Sequence, residues 1–266
     1  MKRLLTTIFI VCAIACGAQN NSAPRNNGTN QQAGRTGPNG LPIMPKERAV
    51  GVRVAYGTGE NQWLNFYRAE STTPTPVYIW GHPNSDGKVP PSANDIPKHV
   101  VDMCREIGVS VISWESVPQV KTREDVLICR EDLIKVYEWL AANAKGYNVD
   151  MNNIFIGGSS RGTVVSWDFI CKYHDKIRGA YLTQALPKGA WAFEAENPLT
   201  TITANNPPVV LSYRTDMETD DGHSPKFGKR IADKYEQFGI GDRVTLLLEQ
   251  KNLYTQLIEF INNNKK

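Results

Sequence analysis

The stretch that most limits what this chain can fold into runs from Ile154 to Gly162 and reads Ile-Phe-Ile-Gly-Gly-Ser-Ser-Arg-Gly. Three apolar residues with high β-propensity predict the end of a buried strand, and Thr163 to Tyr173 predicts a helix. Between them Gly158-Ser159-Ser160-Arg161-Gly162 fits G-x-S-x-G. A strand that turns sharply into a helix at a serine forces that serine into a strained backbone conformation. Glycines must flank it, because neighbouring side chains have no room. Such a turn lifts Ser160 Oγ above the sheet edge as a candidate nucleophile and sets the Arg161 backbone N–H to meet a developing oxyanion. The plainer reading is a glycine-rich connection with no chemistry. The strand and helix on either side favour the elbow.

The rest of the chain supplies a sheet to carry that turn. Val50 to Ala55 alternates as a strand, Gly57-Thr58-Gly59 turns, and Trp63 to Arg68 returns as a hairpin partner. Thr72 to Pro76 reads as a proline-rich break before a short buried strand, Val77 to Trp80. A helix is expected over Asp95 to Ile107, ended by Gly108, then a strand over Val109 to Trp114. Glu124 to Ala144 is a long amphipathic helix, with Val126, Leu133, Val136 and Leu140 at helical spacing and Gly146 as its stop. Further strands are expected at Gly179 to Gln184, Val209 to Tyr213 and Val244 to Leu248, and helices at Pro225 to Phe238 and Tyr254 to Asn262. Strands alternating with helices imply an α/β class, with a mainly parallel sheet covered on both faces and chemistry at the strands' C-terminal ends.

The N-terminal segment has a different character. Met1 to Ala18 carries Lys2-Arg3, an apolar run and small residues, the pattern of a secretory leader. Ala13-Ile14-Ala15-Cys16 resembles a bacterial lipobox, which would place a lipid on Cys16 and anchor the protein to a membrane; Cys16-Gly17-Ala18 equally suits ordinary cleavage. Either route exports the protein, to the periplasm, the outer membrane or the medium. Residues 19–45, rich in Asn, Gln, Gly and Pro, cannot bury enough apolar surface to order themselves and read as a tether. The single catalytic-sized domain is then 46–266. Lys and Arg total 30 against 27 Asp and Glu, with no basic run, which sets nucleic-acid binding aside. Cys104, Cys129 and Cys171 lack metal-ligand spacing and read as core residues. Neither a cofactor site nor a metal site is expected.

Four stretches together resemble α/β-hydrolase fold esterases, above all the branch with hormone-sensitive-lipase-like and secreted feruloyl or acetyl-xylan esterases. They are the hairpin with Tyr56-Gly57 and Leu64-Asn65-Phe66-Tyr67, the strand and loop Pro76 to Gly87, Val111 to Pro118 followed by Glu124-Asp125-Val126, and Val149 to Gly162. The resemblance implies a serine esterase with an oxyanion loop after Trp80. Here that loop reads His82-Pro83-Asn84. Proline has no N–H, so the Asn84 backbone, helped by its side chain, would be the second donor beside Arg161. His82 reads as a structural loop residue. The resemblance also implies an acid after the strand Val209 to Tyr213. Asp216 is slightly favoured by its place at the strand exit, with Asp220 or Asp221 as the alternative counted back from Ser224-Pro225.

The base breaks the pattern. The resemblance implies a histidine after the last strand, yet Glu249 to Lys266 holds none. Of His82, His99, His174 and His223, only His223 lies on a loop at the expected site edge, where it is also readable as a plain loop residue. Trp80, Trp114 and Trp191 are candidates for an apolar or sugar-stacking wall, with core packing as the alternative. Two functions therefore compete: an exported serine esterase on small or carbohydrate-linked acyl esters, and a binding protein on the same scaffold that has lost catalysis.

Overall fold

The computed structural model of the chain describes residues 51–84, 91–191 and 197–266, all within one compact unit spanning 47–266. The leader, the Cys16 lipobox and the tether lie outside the described residues, as do 85–90 of the loop after His82.

Among the described residues eight strands form one sheet: β1 (Val52–Ala55), β2 (Trp63–Tyr67), β3 (Thr75–Gly81), β4 (Ser110–Trp114), β5 (Val149–Ser159), β6 (Gly179–Thr183), β7 (Val209–Ser212) and β8 (Val244–Leu247). Their order is β1-β2-β4-β3-β5-β6-β7-β8. β1 pairs antiparallel with β2 and β2 with β4, and every other pairing is parallel. The helices are α1 (Lys98–Glu106), α2 (Arg123–Tyr147), α3 (Arg161–Lys172), α4 (Lys226–Gln237) and α5 (Leu257–Asn264).

Side-chain alternation divides the interior in two. Val77 and Ile79 of β3, Ile112 and Trp114 of β4, and Ile154 and Ile156 of β5 join α2, α3 and α4 in one core. Tyr78 and Trp80, Val111, and Phe155 from the same strands join α1 and α5 in the other. Because both faces are buried, the central strands carry apolar residues at successive positions, such as Val77 to Trp80 and Ile154 to Ile156, which is why they read as runs in the sequence. Cys104, Cys129 and Cys171 are free and buried within these cores.

Several boundaries differ from the sequence expectation. β3 starts at Thr75, so Pro76 lies inside a strand; the register shifts between Thr75 and Val77, where the missing N–H interrupts the ladder. Asp95 belongs to a short 3₁₀ turn capped by Ser92, and α1 begins only after Pro97, which occupies its N-cap. Gly146 does not stop α2. The helix continues to Tyr147 and ends at Asn148, whose left-handed φ of 56° closes it. β5 is longer than expected, beginning at Val149.

The packing of α3 against β3 demands glycine. A Cβ on Gly162 would lie 2.1 Å from the Gly81 carbonyl oxygen, and one on Gly158 would lie 2.8 Å from the Gly162 carbonyl carbon. Helix start and strand end thus touch backbone to backbone. Gly162→Ala must push α3 off the sheet, at a cost of about 3 kcal/mol and a fall in Tm of roughly 6–12 °C. Thermal denaturation checks this; an unchanged Tm would show that the close approach is relaxed.

Candidate active site

Ser160 sits between β5 and α3 with φ 50° and ψ −112°, a region that residues with a Cβ avoid. Hydrogen bonds from three directions hold it there. The Ser160 N–H donates to the Thr183 carbonyl at 3.0 Å, and the Ser160 carbonyl accepts from the Thr163 N–H at 2.9 Å and the Thr163 hydroxyl at 2.6 Å. The Leu186 N–H donates to the same hydroxyl at 2.8 Å. Gln184 and Leu186 just beyond β6 and Glu249 beyond β8 also have positive φ, so strained non-glycine residues gather at the C-terminal edge of the sheet.

Ser160 Oγ lies 2.9 Å from His223 Nε2. With the ring proton on Nδ1, Nε2 accepts the serine hydroxyl, the arrangement a general base needs. His223 is carried by the loop between β7 and α4, and its shape comes from that loop's own polar residues. Asp216 Oδ1 accepts from the N–H groups of Glu218 (3.2 Å) and Thr219 (3.0 Å) and from the Thr219 hydroxyl (2.8 Å). These bonds, the Thr219 hydroxyl first, hold the Asp216 carboxyl below its ordinary pKa. Asp221 Oδ1 accepts the His223 backbone N–H at 2.7 Å, and Ser224 Oγ donates to the Thr219 carbonyl at 2.7 Å. The Lys188 N–H donates to the Gly222 carbonyl at 2.9 Å, tying this loop to the segment after β6. Among the described residues no carboxylate is bonded to the His223 ring. Asp216 and Asp221 build the loop that presents the imidazole, while Asp220 borders an open cleft beside Trp191.

Ser160 and Arg161 border a cavity of about 240 Å³ with apolar walls from Val120, Val126, Val164 and Pro187. Asn84 also lines it. The Asn84 side chain is already engaged: Nδ2 donates to the Val120 carbonyl at 2.7 Å and Oδ1 accepts the Val120 N–H at 3.1 Å. It holds the cavity wall, so the side chain is not available as the extra donor expected from the sequence.

The Arg161 side chain was not singled out by the sequence. It is buried, with Nη2 donating to the Val117 carbonyl at 2.6 Å and to Cys129 Sγ at 3.1 Å. Its Nη1 lies 2.7 Å from His82 Nε2, which is itself 2.9 Å from Glu115 Oε1. The tautomer of His82 decides which of the two it bonds, and either way the Glu115 carboxylate offsets the buried guanidinium across the ring. Burial pushes the Glu115 carboxyl up, but the interaction with His82 and the N–H groups of Ala93 and Ser116 outweigh this and hold its pKa below the ordinary value. Gly81 pairs with Trp114 in parallel register, so the next residues, His82 and Glu115, emerge side by side. That register is a tertiary fact with no local sequence signal.

The tryptophans separate. Trp80 and Trp114 are each 1% exposed. They are core residues rather than a wall of the site, since their alternate positions on β3 and β4 point them into the two layers beneath it. Trp80 Nε1 donates to the Tyr254 hydroxyl at 2.9 Å. Trp191 is half-buried and borders the cleft.

No protein-family model matches the sequence, and no curated protein is similar to it. Solved structures are. A thermophilic esterase from Thermogutta terrifontis, Est2, superposes with TM-score 0.59 at 15% identity, over 81% of this chain and 85% of that one. An acetyl ester-xyloside bifunctional hydrolase from Caldicellulosiruptor lactoaceticus gives 0.59 at 13% identity, over 80% and 93%. A truncated carbohydrate esterase from gut microbiota gives 0.62 at 10% identity, over 83% and 98%.

The chain has the α/β-hydrolase fold. Its strand order, the single strand β2 that runs against the others and the elbow after β5 agree with that assignment.

Glu115 supplies the test of this site's electrostatics. Removing it in Glu115→Ala strands the Ala93 and Ser116 donors and leaves Arg161 without a counter-charge, costing about 3 kcal/mol. Because the folded carboxyl is lowered, its contribution to stability is complete above the ordinary glutamate pKa of about 4.3 and is lost as pH falls through the folded value. Denaturant titrations of wild type and Glu115→Gln should therefore converge as the pH is lowered below about 4. A constant difference at every pH would contradict the assignment.

Proposed function

We propose that this protein is an exported serine hydrolase of carboxylic esters, acting on small or carbohydrate-linked acyl esters through an acyl-enzyme. The observation that carries the reading is the 2.9 Å approach of Ser160 Oγ to His223 Nε2 at a strained strand-to-helix turn. In this reading Oγ attacks the ester carbonyl while His223 takes its proton. The carbonyl oxygen gains negative charge and is met by the backbone N–H groups of Arg161 and Asn84. Collapse of this intermediate breaks the bond to the alcohol oxygen, which receives the proton from His223. Water then attacks the acyl-Ser160 ester with His223 again as base, releasing the acid and restoring the serine. Asp216 and Asp221 act as positioning residues through the loop that carries His223, in place of an acid bonded to its ring.

The proposal of esters draws support from the neighbours' names, an esterase, an acetyl ester hydrolase and a carbohydrate esterase. Export rests on the basic and apolar pattern of Met1 to Ala18, and lipid attachment on Cys16. The absence of a carboxylate at the His223 ring among the described residues favours a second reading, a binding protein on this fold with little or no catalysis.

Hydrolysis of p-nitrophenyl acetate separates the two. Ser160→Ala and His223→Ala should each lose at least about 10³-fold in kcat, and Asp216→Ala about ten-fold. Equal rates in wild type and Ser160→Ala would leave the binding-protein reading standing. A large loss in Ser160→Ala with none in His223→Ala would show that another group takes the proton.

A further inference from the structure

We propose that Thr163 is a positioning residue that sets where His223 stands against Ser160; the inference rests on the serine-hydrolase reading and deepens it. A general base must be held within hydrogen-bond reach of the hydroxyl it deprotonates. In a triad a ring-bound carboxylate does this. Among the described residues no carboxylate does so at His223, whose ring meets Ser160 Oγ. Asp221 accepts the His223 backbone N–H at 2.7 Å, but that bond closes within three residues, so it shapes the loop without placing it against Ser160. The bond that leaves the loop beside the imidazole runs from the Lys188 N–H to the Gly222 carbonyl at 2.9 Å.

Followed back from Lys188, this bond closes a ring. Leu186, two residues earlier, is buried with φ 45°, a conformation that a leucine keeps only when its surroundings hold it. Its N–H donates to the Thr163 hydroxyl at 2.8 Å, and that hydroxyl donates to the Ser160 carbonyl at 2.6 Å. The Tyr213 hydroxyl, donating to the Ala185 carbonyl at 2.9 Å, steadies the same segment from just beyond β7. Serine and imidazole are therefore joined twice: directly at 2.9 Å through Oγ and Nε2, and indirectly through Thr163, Leu186, Lys188 and Gly222. Thr163 is fully buried, and its hydroxyl is the side-chain link of the indirect path, whose other links are backbone groups. Without that hydroxyl the Ser160 backbone keeps its bonds to the Thr163 N–H at 2.9 Å and the Thr183 carbonyl at 3.0 Å. The serine turn stays held, while the segment that positions His223 loses its tie to that turn.

Steady-state hydrolysis of p-nitrophenyl acetate by the full chain tests this. Thr163→Val keeps the shape of the side chain and removes the hydroxyl, so kcat should fall by roughly 10–100-fold with KM changed less than about three-fold. Thr163→Ser, which keeps the hydroxyl, should return kcat to within about three-fold of wild type. Because Thr163 acts through the imidazole, adding Thr163→Val to His223→Ala should slow the residual Ser160-dependent reaction by less than about three-fold. Thermal melts show whether Thr163→Val folds. If it does not, Lys188→Pro breaks the ring at an exposed position. Lys188 opens the 3₁₀ turn Lys188–Trp191, where proline is tolerated, and the substitution removes the N–H that reaches Gly222. It should lower kcat by a comparable factor. Unchanged kcat in a folded variant of either kind, or a Thr163→Val loss of the same size with and without His223, overturns the positioning role and leaves the hydrolase reading intact. Wild type that hydrolyses no faster than Ser160→Ala overturns the hydrolase reading, and the positioning role with it.

Discussion

The site depends on one backbone contact, the approach of α3 to the end of β3 through Gly81 and Gly162. Because no side chain intervenes, the helix starts directly against the sheet, and the residue that joins strand to helix must turn at φ 50°. That conformation is costly for serine. It persists because Thr183, Thr163 and Leu186 fix the Ser160 backbone from the neighbouring elements. The same strain points Oγ outward and leaves the Arg161 N–H at a helix start, where it is free of intrahelical partners. Geometry useful to a nucleophile thus follows from how tightly a helix and a strand are packed.

A buried charge ties the turn to the loop facing it. The Arg161 guanidinium reaches from the start of α3 to His82 and Val117, and Glu115 neutralises it across the imidazole. Removing Arg161, His82 or Glu115 would leave a charge or a donor without a partner in the interior, so the elbow, the loop after β3 and the exit of β4 hold a common geometry. The backbone donors of Arg161 and Asn84 belong to the segments joined in this way. Asn84 extends the tie to Val120 and so to the wall of the small apolar pocket.

Much of this was legible in the sequence where local rules apply. The apolar runs around Ile79, Ile112 and Phe155 announced strands buried on both faces, and G-x-S-x-G announced the turn. His223 could be reached by exclusion, because no histidine follows β8 and the loop after β7 offered one at the right edge. Local rules failed where tertiary pairing decides. Pro76 is tolerated because the ladder slips beside it, and Gly146 is carried through α2 because Asn148 supplies the left-handed stop. Nothing near Trp80 or Trp114 distinguishes a core indole from one facing a cleft. The pairing of His82 with Glu115 depends on the register of β3 with β4, which neither segment encodes alone. The carboxylates of the β7–α4 loop were readable as a cluster, but their work is to shape the loop that presents His223 rather than to touch its ring.

The central claim, that Ser160 is an activated hydroxyl with His223 as its base, is tested most directly by peptide mapping after brief exposure to a fluorophosphonate. The account predicts a single adduct on Ser160, none on Ser159, and labelling slowed at least about a hundred-fold in His223→Ala. Absence of an adduct, an adduct on Ser159, or labelling of Ser160 at the same rate without His223 would contradict it.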